Sequence, residues 1–253
     1  MDALSLAADR LRSARRITAL TGAGVSAASG IPTFRGVDGL WKNFRAESLA
    51  TPEAFAADPR LVWEWYDWRR QMIANARPNA AHDVLARWTR ERPGFTLITQ
   101  NVDGLHERAG AERLVRLHGS VWHVRCSRAC VEGRADWLDT TSPQPHLPPL
   151  CPHCGAAVRP GVVWFGESLN PGDVAAATGA ARCDVFLTIG TSALVYPAAG
   201  LVHQAKQHGA FTIEINIDDT GASDVVDLAL KGKAEEMLPA LDLAHAQAEP
   251  AGN

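Results

Sequence analysis

The chain has 253 residues, 46% of them apolar and 21% charged, so it carries material for a substantial core and is not globally disordered. Twenty-five Lys and Arg against 28 Asp and Glu give a net charge of −3, which excludes a global basic field for nucleic acid or an anionic membrane. No apolar run approaches the roughly 20 residues of a membrane span, and Asp2 and Asp9 stand where a signal peptide needs cations and then an apolar stretch. The expectation is a soluble, cytoplasmic protein with neither a membrane nor a nucleic acid as direct partner.

In chain order, apolar strand-like runs fall at 17–21, 95–99, 114–118, 184–190 and 211–217. Helical patterns at 79–90, 171–181 and 197–208 lie between them, the first with Asn79 as N-cap. Strands alternating with helices predict an α/β fold, a doubly wound, mainly parallel sheet covered on both faces. Two stretches break the rhythm. Residues 36–77 hold helices and no convincing strand; Thr51-Pro52 and Asp58-Pro59 each place proline after a polar N-cap. The second pair opens a helix to about Ala76, with Leu61, Trp65, Trp68 and Met72 predicted along its apolar face. Residues 123–160 are loop-rich, with two close cysteine pairs and a link containing Pro143, Pro145, Pro148 and Pro149. The predicted organisation is a large domain from 1–35, 78–122 and 161–243. The insertions 36–77 and 123–160 form a smaller lobe, and 244–253 a frayed tail.

Thr21-Gly22-Ala23-Gly24-Val25-Ser26-Ala27 follows the first strand and fits the dinucleotide pattern of glycines opening a helix. Small residues let the backbone approach a pyrophosphate; the same turn could also exist without a ligand. Ser29-Gly30-Ile31-Pro32-Thr33-Phe34-Arg35-Gly36 then cuts the helix short. A loop with Phe34 and Arg35 after a phosphate turn suits a lid over a bound dinucleotide, or a plain surface crossover. Gln100, Asn101 and Asp103 follow the strand 95–99, at the sheet edge where ligands bind, or close it as a simple turn. His118 ends another strand and has the chemistry of a general base near neutral pH, although the chain has nine histidines. Gly190, Thr191, Ser192 and Asn216 also lie at strand ends. Cys126, Cys130, Cys151 and Cys154 match a closed four-thiolate zinc site, structural because no coordination position remains for water. Cys183 stands alone, read as a small buried hydrophobe.

Together these segments resemble the sirtuin family of NAD-dependent protein-lysine deacylases. The resemblance rests on GAGVSAASGIPTFRG (22–36), TQNVDGLHERAG (99–110), LHGS (117–120), the four cysteines, VVWFGE (162–167), GTSALVYPAA (190–199) and EIN (214–216). It implies a Rossmann-like large domain, a smaller zinc-binding plus helical lobe, NAD as co-substrate, one structural zinc ion and acyl-lysine proteins or peptides as partners. Gly22, Ala23, Gly24 and Ser26 would meet the phosphates, and Pro32, Phe34 and Arg35 the nicotinamide side. Gln100, Asn101 and Asp103 would form the ribose and nicotinamide pocket. Gly190, Thr191, Ser192 and Asn216 would line the adenosine side, with a backbone contact near Lys233. Val163, Trp164, Phe165, Gly166 and Glu167 would pair with the substrate backbone by strand addition. His118 would be the general base, supported in catalysis by Asn101 and Asp103. In the implied reaction the acyl amide oxygen attacks the nicotinamide ribose and nicotinamide leaves. His118 then takes a proton from a ribose hydroxyl, whose oxygen attacks the imidate carbon, and water completes transfer of the acyl group to ADP-ribose.

Tyr66 and Arg69 lie three apart on the helix 58–76 and therefore share a face. They resemble the Tyr-x-x-Arg of sirtuins that prefer succinyl- and malonyl-lysine, where a guanidinium and a phenol read a distal carboxylate. The pair could otherwise be a snorkelling tyrosine and a solvated arginine. The C-x3-C spacing of the first cysteine pair departs from the commoner C-x2-C. A Rossmann oxidoreductase would leave the cysteines and the Ile31–Gly36 loop unexplained, and a zinc adaptor would leave the nucleotide motifs idle.

Overall fold

The computed structural model describes residues 2–33, 40–41, 44–133 and 135–247. Its main element is a six-stranded sheet in the order β11-β10-β9-β1-β4-β5. The strands are β1 (Ile17–Thr21), β4 (Phe95–Thr99), β5 (Leu114–Arg116), β9 (Val185–Ile189), β10 (Phe211–Asn216) and β11 (Leu228–Lys231). All its pairings are parallel. β1 and β9 are buried at every position, as expected of strands covered on both faces.

Side chains alternate across the sheet and build two cores. On one face Ile17, Ala19, Phe95, Leu97 and Leu187 pack with α1 (Ala3–Ser13), α6 (Ala80–Glu91) and α10 (Ala234–Gln247). On the other, Leu20, Ile98 and Phe186 pack with α8 (Pro171–Ala180) and α9 (Gly200–Gln207). Local signals set the helix starts. The Asn79 side chain accepts from Ala81 N, and the His82 imidazole accepts from Asn79 N, closing a capping box on α6. α10 runs further than the predicted tail boundary: residues 244–247 are helical, and Arg12 donates to the Ala244 carbonyl.

The remaining elements are two very short helices, α2 (Gly24–Ala27) and α7 (Leu105–Arg108), and the smaller lobe. That lobe holds β2 (Leu40–Trp41), β3 (Phe44–Arg45), α3 (Ala46–Leu49), α4 (Pro52–Ala57) and α5 (Pro59–Asn75). It also holds an antiparallel sheet of β6 (Gly119–Cys126), β7 (Trp137–Leu138) and β8 (Val158–Val162). One apolar core joins its two chain segments, with Phe55, Val62, Trp63 and Ile73 against Val121, Val124, Val158 and Trp164. The short β2–β3 pair lies where the sequence suggested no strand.

The apolar face of α5 differs from the prediction. Leu61, Trp68 and Met72 are only half-buried, whereas Val62, Trp63, Tyr66, Arg69, Arg70 and Ile73 are buried beside Trp65. The helix is enclosed on several sides, so its burial follows the neighbouring sheet and the cavity below more than its simplest apolar stripe.

Candidate active site

β1 and β9 are neighbours, yet the chain leaves β1 toward β4 and β5 and leaves β9 toward β10 and β11. Their C-terminal ends therefore form the switch point of a doubly wound sheet. There the two glycine turns interlock through main chain: Gly22 N donates to Ile189 O at 3.0 Å, and Gly24 N donates to Gly190 O at 2.8 Å. A Cβ on Gly22 would lie 2.6 Å from Thr191 Cβ, and one on Gly190, whose φ is +57°, 2.6 Å from Val25 N. Only glycine fits these positions.

A cavity of about 640 Å³ opens from this seam toward the smaller lobe. Gly22, Ala23, Gly24, Gln100, Asn101, His118, Gly190, Thr191, Ser192 and Asn216 line it, as do Tyr66, Arg69, Val163, Trp164, Phe165, Gly166 and Glu167. The amides at the strand ends are held in place. Gln100 Nε2 donates to Thr191 Oγ1 at 2.9 Å, and Asn101 Nδ2 donates to Gly22 O at 3.0 Å. Asn216 Nδ2 donates to Thr191 O at 2.9 Å.

His118 Nδ1 lies 3.0 Å from the Gln100 carbonyl, which can only accept, so Nδ1 carries the proton and Nε2 keeps a lone pair. Burial lowers the His118 pKa, opposed by the bond to Gln100, and the imidazole is neutral at neutral pH.

Ser26 and Asp103 are placed otherwise than expected. Neither lines the cavity. Asp103 is 4% exposed, and its carboxylate accepts from Leu105 N and from Ser26 Oγ, each at 2.8 Å. Burial raises its pKa, opposed by those two bonds and by the charges of Arg69 and Arg108. Ser26 also accepts from Asn101 Nδ2 at 3.2 Å. The two residues therefore brace Asn101 from behind the cavity. Beneath them lie His82 and His106, ring centroids 4.9 Å apart, with His106 Nε2 3.0 Å from Thr21 Oγ1. Burial pushes their pKa values down to about 4 and about 3.

Lys233 also lies off the cavity. Its carbonyl accepts from Glu236 N and Met237 N at the start of α10, and its ammonium pairs with Glu236. Pro32 is half-buried and not in the cavity wall, whereas Thr33 is. Phe34 and Arg35 lie outside the described residues.

At the other end of the cavity, Tyr66 and Arg69 are 3% and 7% exposed. Trp164 Nε1 donates to the Tyr66 hydroxyl at 2.9 Å, which leaves the phenol's own hydrogen to donate elsewhere. Burial raises the Tyr66 pKa, so the group stays a phenol. The Arg69 guanidinium carbon lies 5.2 Å from the Trp65 ring centroid, and its charge is opposed by burial and favoured by Tyr66 and Asp103. Arg159 sits 3.6 Å over the Trp164 ring and binds Glu167 through two bonds of 2.6 and 2.8 Å. Within 163–167 most amides are committed: Val163 N to His118 O, Trp164 N to the Glu167 carboxylate, Phe165 N to Ala50 O and Glu167 N to Trp164 O. Strand addition by a peptide would therefore use carbonyls and the Gly166 amide.

Sequence reasoning missed several cavity residues, among them Glu47, Leu194, Tyr196 and Asp218. Leu194 and Tyr196 lie inside the quoted GTSALVYPAA, and Asp218 stands two residues beyond Asn216, so strand-end position was the available signal.

The four sulfurs of Cys126, Cys130, Cys151 and Cys154 lie within 4.8 Å of one another, with 3.5 Å between Cys126 and Cys154 and 3.7 Å between Cys130 and Cys151. Tetrahedral zinc with bonds of about 2.3 Å spaces its sulfurs about 3.8 Å apart, so the residues fit the ion. A Cβ on Gly133 would stand 2.9 Å from Cys130 Sγ and 3.1 Å from Cys151 Sγ, so the turn there closes tightly over the ligands.

A doubly covered parallel sheet with interlocked glycine turns at its switch point, joined to a smaller lobe that carries four clustered thiols, defines the class of a dinucleotide-using enzyme. Residues 22–197 match the Sir2 family. The NAD-dependent protein deacylase of Aquifex aeolicus is 53% identical over 219 residues, 86% of this chain and 90% of its own length. NAD-dependent protein deacylase 1 of Archaeoglobus fulgidus is 51% identical, over 89% of this chain and 91% of its own. Among solved structures, a mutant Sir2 homologue with 2′-O-acetyl-ADP-ribose superposes with a TM-score of 0.91 at 46% identity, covering both chains completely. A Sir2 homologue bound to a myristoylated histone peptide gives 0.78 at 32%, covering 97% of each chain. The chain belongs to the Sir2 family.

Proposed function

We propose that this enzyme removes succinyl and malonyl groups, and acetyl groups more weakly, from lysines of protein substrates. It would consume NAD and one water and yield nicotinamide, O-acyl-ADP-ribose and the free lysine. NAD-dependent protein deacylation is the activity of the Sir2 relatives it matches at about half identity, and the chain is an NAD-dependent protein deacylase. The acyl preference is carried by one observation: a buried guanidinium and a phenol with its donor hydrogen available, Arg69 and Tyr66, line the same cavity as His118. An acetyl group offers them nothing ionic to bind, whereas a distal carboxylate offers the guanidinium an opposite charge and the phenol hydrogen an acceptor.

NAD, when bound, supplies an electrophilic ribose carbon with a leaving group, and the acyl-lysine supplies the amide oxygen. Main chain around Gly22–Gly24 and Gly190 would hold the dinucleotide's phosphates without side chains in the way. Asn101, whose Nδ2 is held by Gly22 O and Ser26, lines the cavity, and the Asp103 carboxyl lies one layer behind it. His118 accepts a proton at Nε2 while Gln100 fixes the other ring nitrogen. We take the cytoplasm as its place of action, where a reducing milieu keeps four thiols available for zinc.

The test is kcat/KM on one peptide carrying acetyl, malonyl, succinyl or glutaryl lysine. A charge-assisted bond contributes about 1.5–3 kcal/mol, and two acting together can exceed the upper value, so desuccinylation should exceed deacetylation by roughly 10–1,000-fold. Arg69→Met should erase most of that advantage and leave deacetylation nearly unchanged. Tyr66→Phe should cost less, since it removes a neutral donor and keeps the ring. Proportional losses on both acyl groups would reassign the pair to packing of the lobe.

A further inference from the structure

α5 uses two adjacent stripes for different tasks. Tyr66 and Arg69 face the cavity. Trp63, Asp67 and Arg70, spaced i, i+4 and i+7, face the zinc-bearing module instead, about 100° away around the helix. Each makes a polar bond there. Trp63 Nε1 donates to Val158 O of β8 at 2.6 Å, and Asp67 Oδ1 accepts from Gln144 N at 2.8 Å.

Arg70 is the centre of this contact and is completely buried. Its Nε donates to Val121 O of β6 at 2.8 Å, and its Nη1 to Asp139 Oδ2 at 3.0 Å and to Thr141 O at 3.4 Å. The guanidinium lies 5.1 Å from the Trp63 ring centroid and 5.7 Å from that of Trp122. The same strand reaches the nicotinamide-side loop: Trp122 Nε1 donates to Asp103 O at 2.8 Å, and Val121 N to Val102 O at 2.9 Å. Gln144 Nε2 holds Asp139 Oδ2 at 2.7 Å.

Apolar packing alone could bury α5, but it tolerates rotation. A planar guanidinium bonded in two directions does not. A 20° turn of a helix would carry a side-chain tip about 5–6 Å from its axis through about 2 Å.

We propose that Arg70, clamped by Asp139, is a positioning residue for acyl selectivity: it fixes the rotation of α5, and so the distance of Tyr66 and Arg69 from the loop 101–103. The proposal rests on the acyl-reading role of those two residues. The zinc module then acts on substrate choice as well as on stability, because the segment 139–144 that follows β7 supplies the clamp.

The experiment measures kcat and KM for succinyl and acetyl forms of one peptide on wild type, Asp139→Ala, Asp139→Asn and Arg70→Lys. Zinc content and thermal midpoint are recorded for each. An ångström of misplacement can cost up to about a hundredfold. Asp139→Ala should therefore raise KM for the succinyl peptide about tenfold or more, and change the acetyl peptide by less than about threefold. Asp139→Asn should restore most of the selectivity, since its amide oxygen still accepts from Arg70. Arg70→Lys should behave like Asp139→Ala, because one ammonium cannot serve Val121 O and Asp139 with a fork's geometry, and it decides the matter if Asp139→Ala does not fold. Folded, zinc-loaded variants with the wild-type selectivity ratio, or with equal losses on both peptides, overturn the positioning role alone. A wild type without succinyl preference, unchanged by Arg69→Met, overturns the acyl reading and this proposal with it.

Discussion

The two ends of the cavity are built from different material. At the β1–β9 seam the walls are main chain, with Gly24 N bonded to Gly190 O and no room for a Cβ on either turn. At the α5 end the walls are side chains: Trp65, Tyr66, Arg69 and Trp164. A main-chain wall is indifferent to side-chain chemistry and intolerant of added bulk, so it suits a ligand that never changes. A side-chain wall can be altered one residue at a time, which suits a variable acyl group. The supports differ as well. The parallel sheet has an apolar core on each face, whereas the small antiparallel sheet leans on α5 and on four thiolates.

Removing zinc should break this contrast most forcefully. A structural zinc site contributes on the order of 10 kcal/mol in small modules. Chelation, or Cys151→Ser, should collapse hydrogen-exchange protection in β6–β8 and abolish activity while β1, β4 and β9 stay protected. Metal analysis that finds no zinc, with exchange unperturbed, would remove the metal from the account.

His118 stands where the two ends meet, so His118→Ala should separate binding from chemistry. Turnover should fall by about 10²–10⁴-fold or more, with NAD affinity by calorimetry little changed. Near wild-type turnover would exclude His118 as the base. In wild type its pKa lies below the ordinary imidazole value, so kcat/KM should hold as pH falls to about 6.5 and decline only below that.

The smallest effect concerns the sheet side. His82 and His106 have folded pKa values near 4 and near 3, below the unfolded value of about 6.5. The unfolded chain therefore binds more protons in that window. Their contribution is intact above about pH 6.5 and is lost on acidification by at most about 1.4 kcal/mol per pH unit for each histidine. The urea midpoint should fall between pH 7 and pH 5. A flat midpoint would mean that these two rings accept protons in the folded state.

Much of this was legible in the sequence. Alternating strands and helices specified a covered parallel sheet, since apolar runs of that length cannot be left exposed. The glycine spacing at 22–24 marked the turn, because no other residue allows so close a backbone approach. Four cysteines in two close pairs indicated a soft metal, and a three-residue step on a helix placed Tyr66 and Arg69 on one face. Each of these is carried by short segments whose own residues are a few positions apart. Tertiary structure decided what depends on partners distant in the chain. Asp103 and Ser26 lie behind the cavity because the Leu105 amide and each other's groups satisfy them there. Lys233 lies off the cavity at the start of α10, where its carbonyl accepts from Glu236 N and Met237 N. α5 buries Val62, Trp63, Arg70 and Ile73 beside Trp65 and leaves Leu61, Trp68 and Met72 half-buried, because bonds from Val121, Asp139, Gln144 and Val158 set its rotation. Periodicity tells a helix that it has a buried face. When a helix is enclosed on several sides, the polar atoms that must be satisfied choose which face that is.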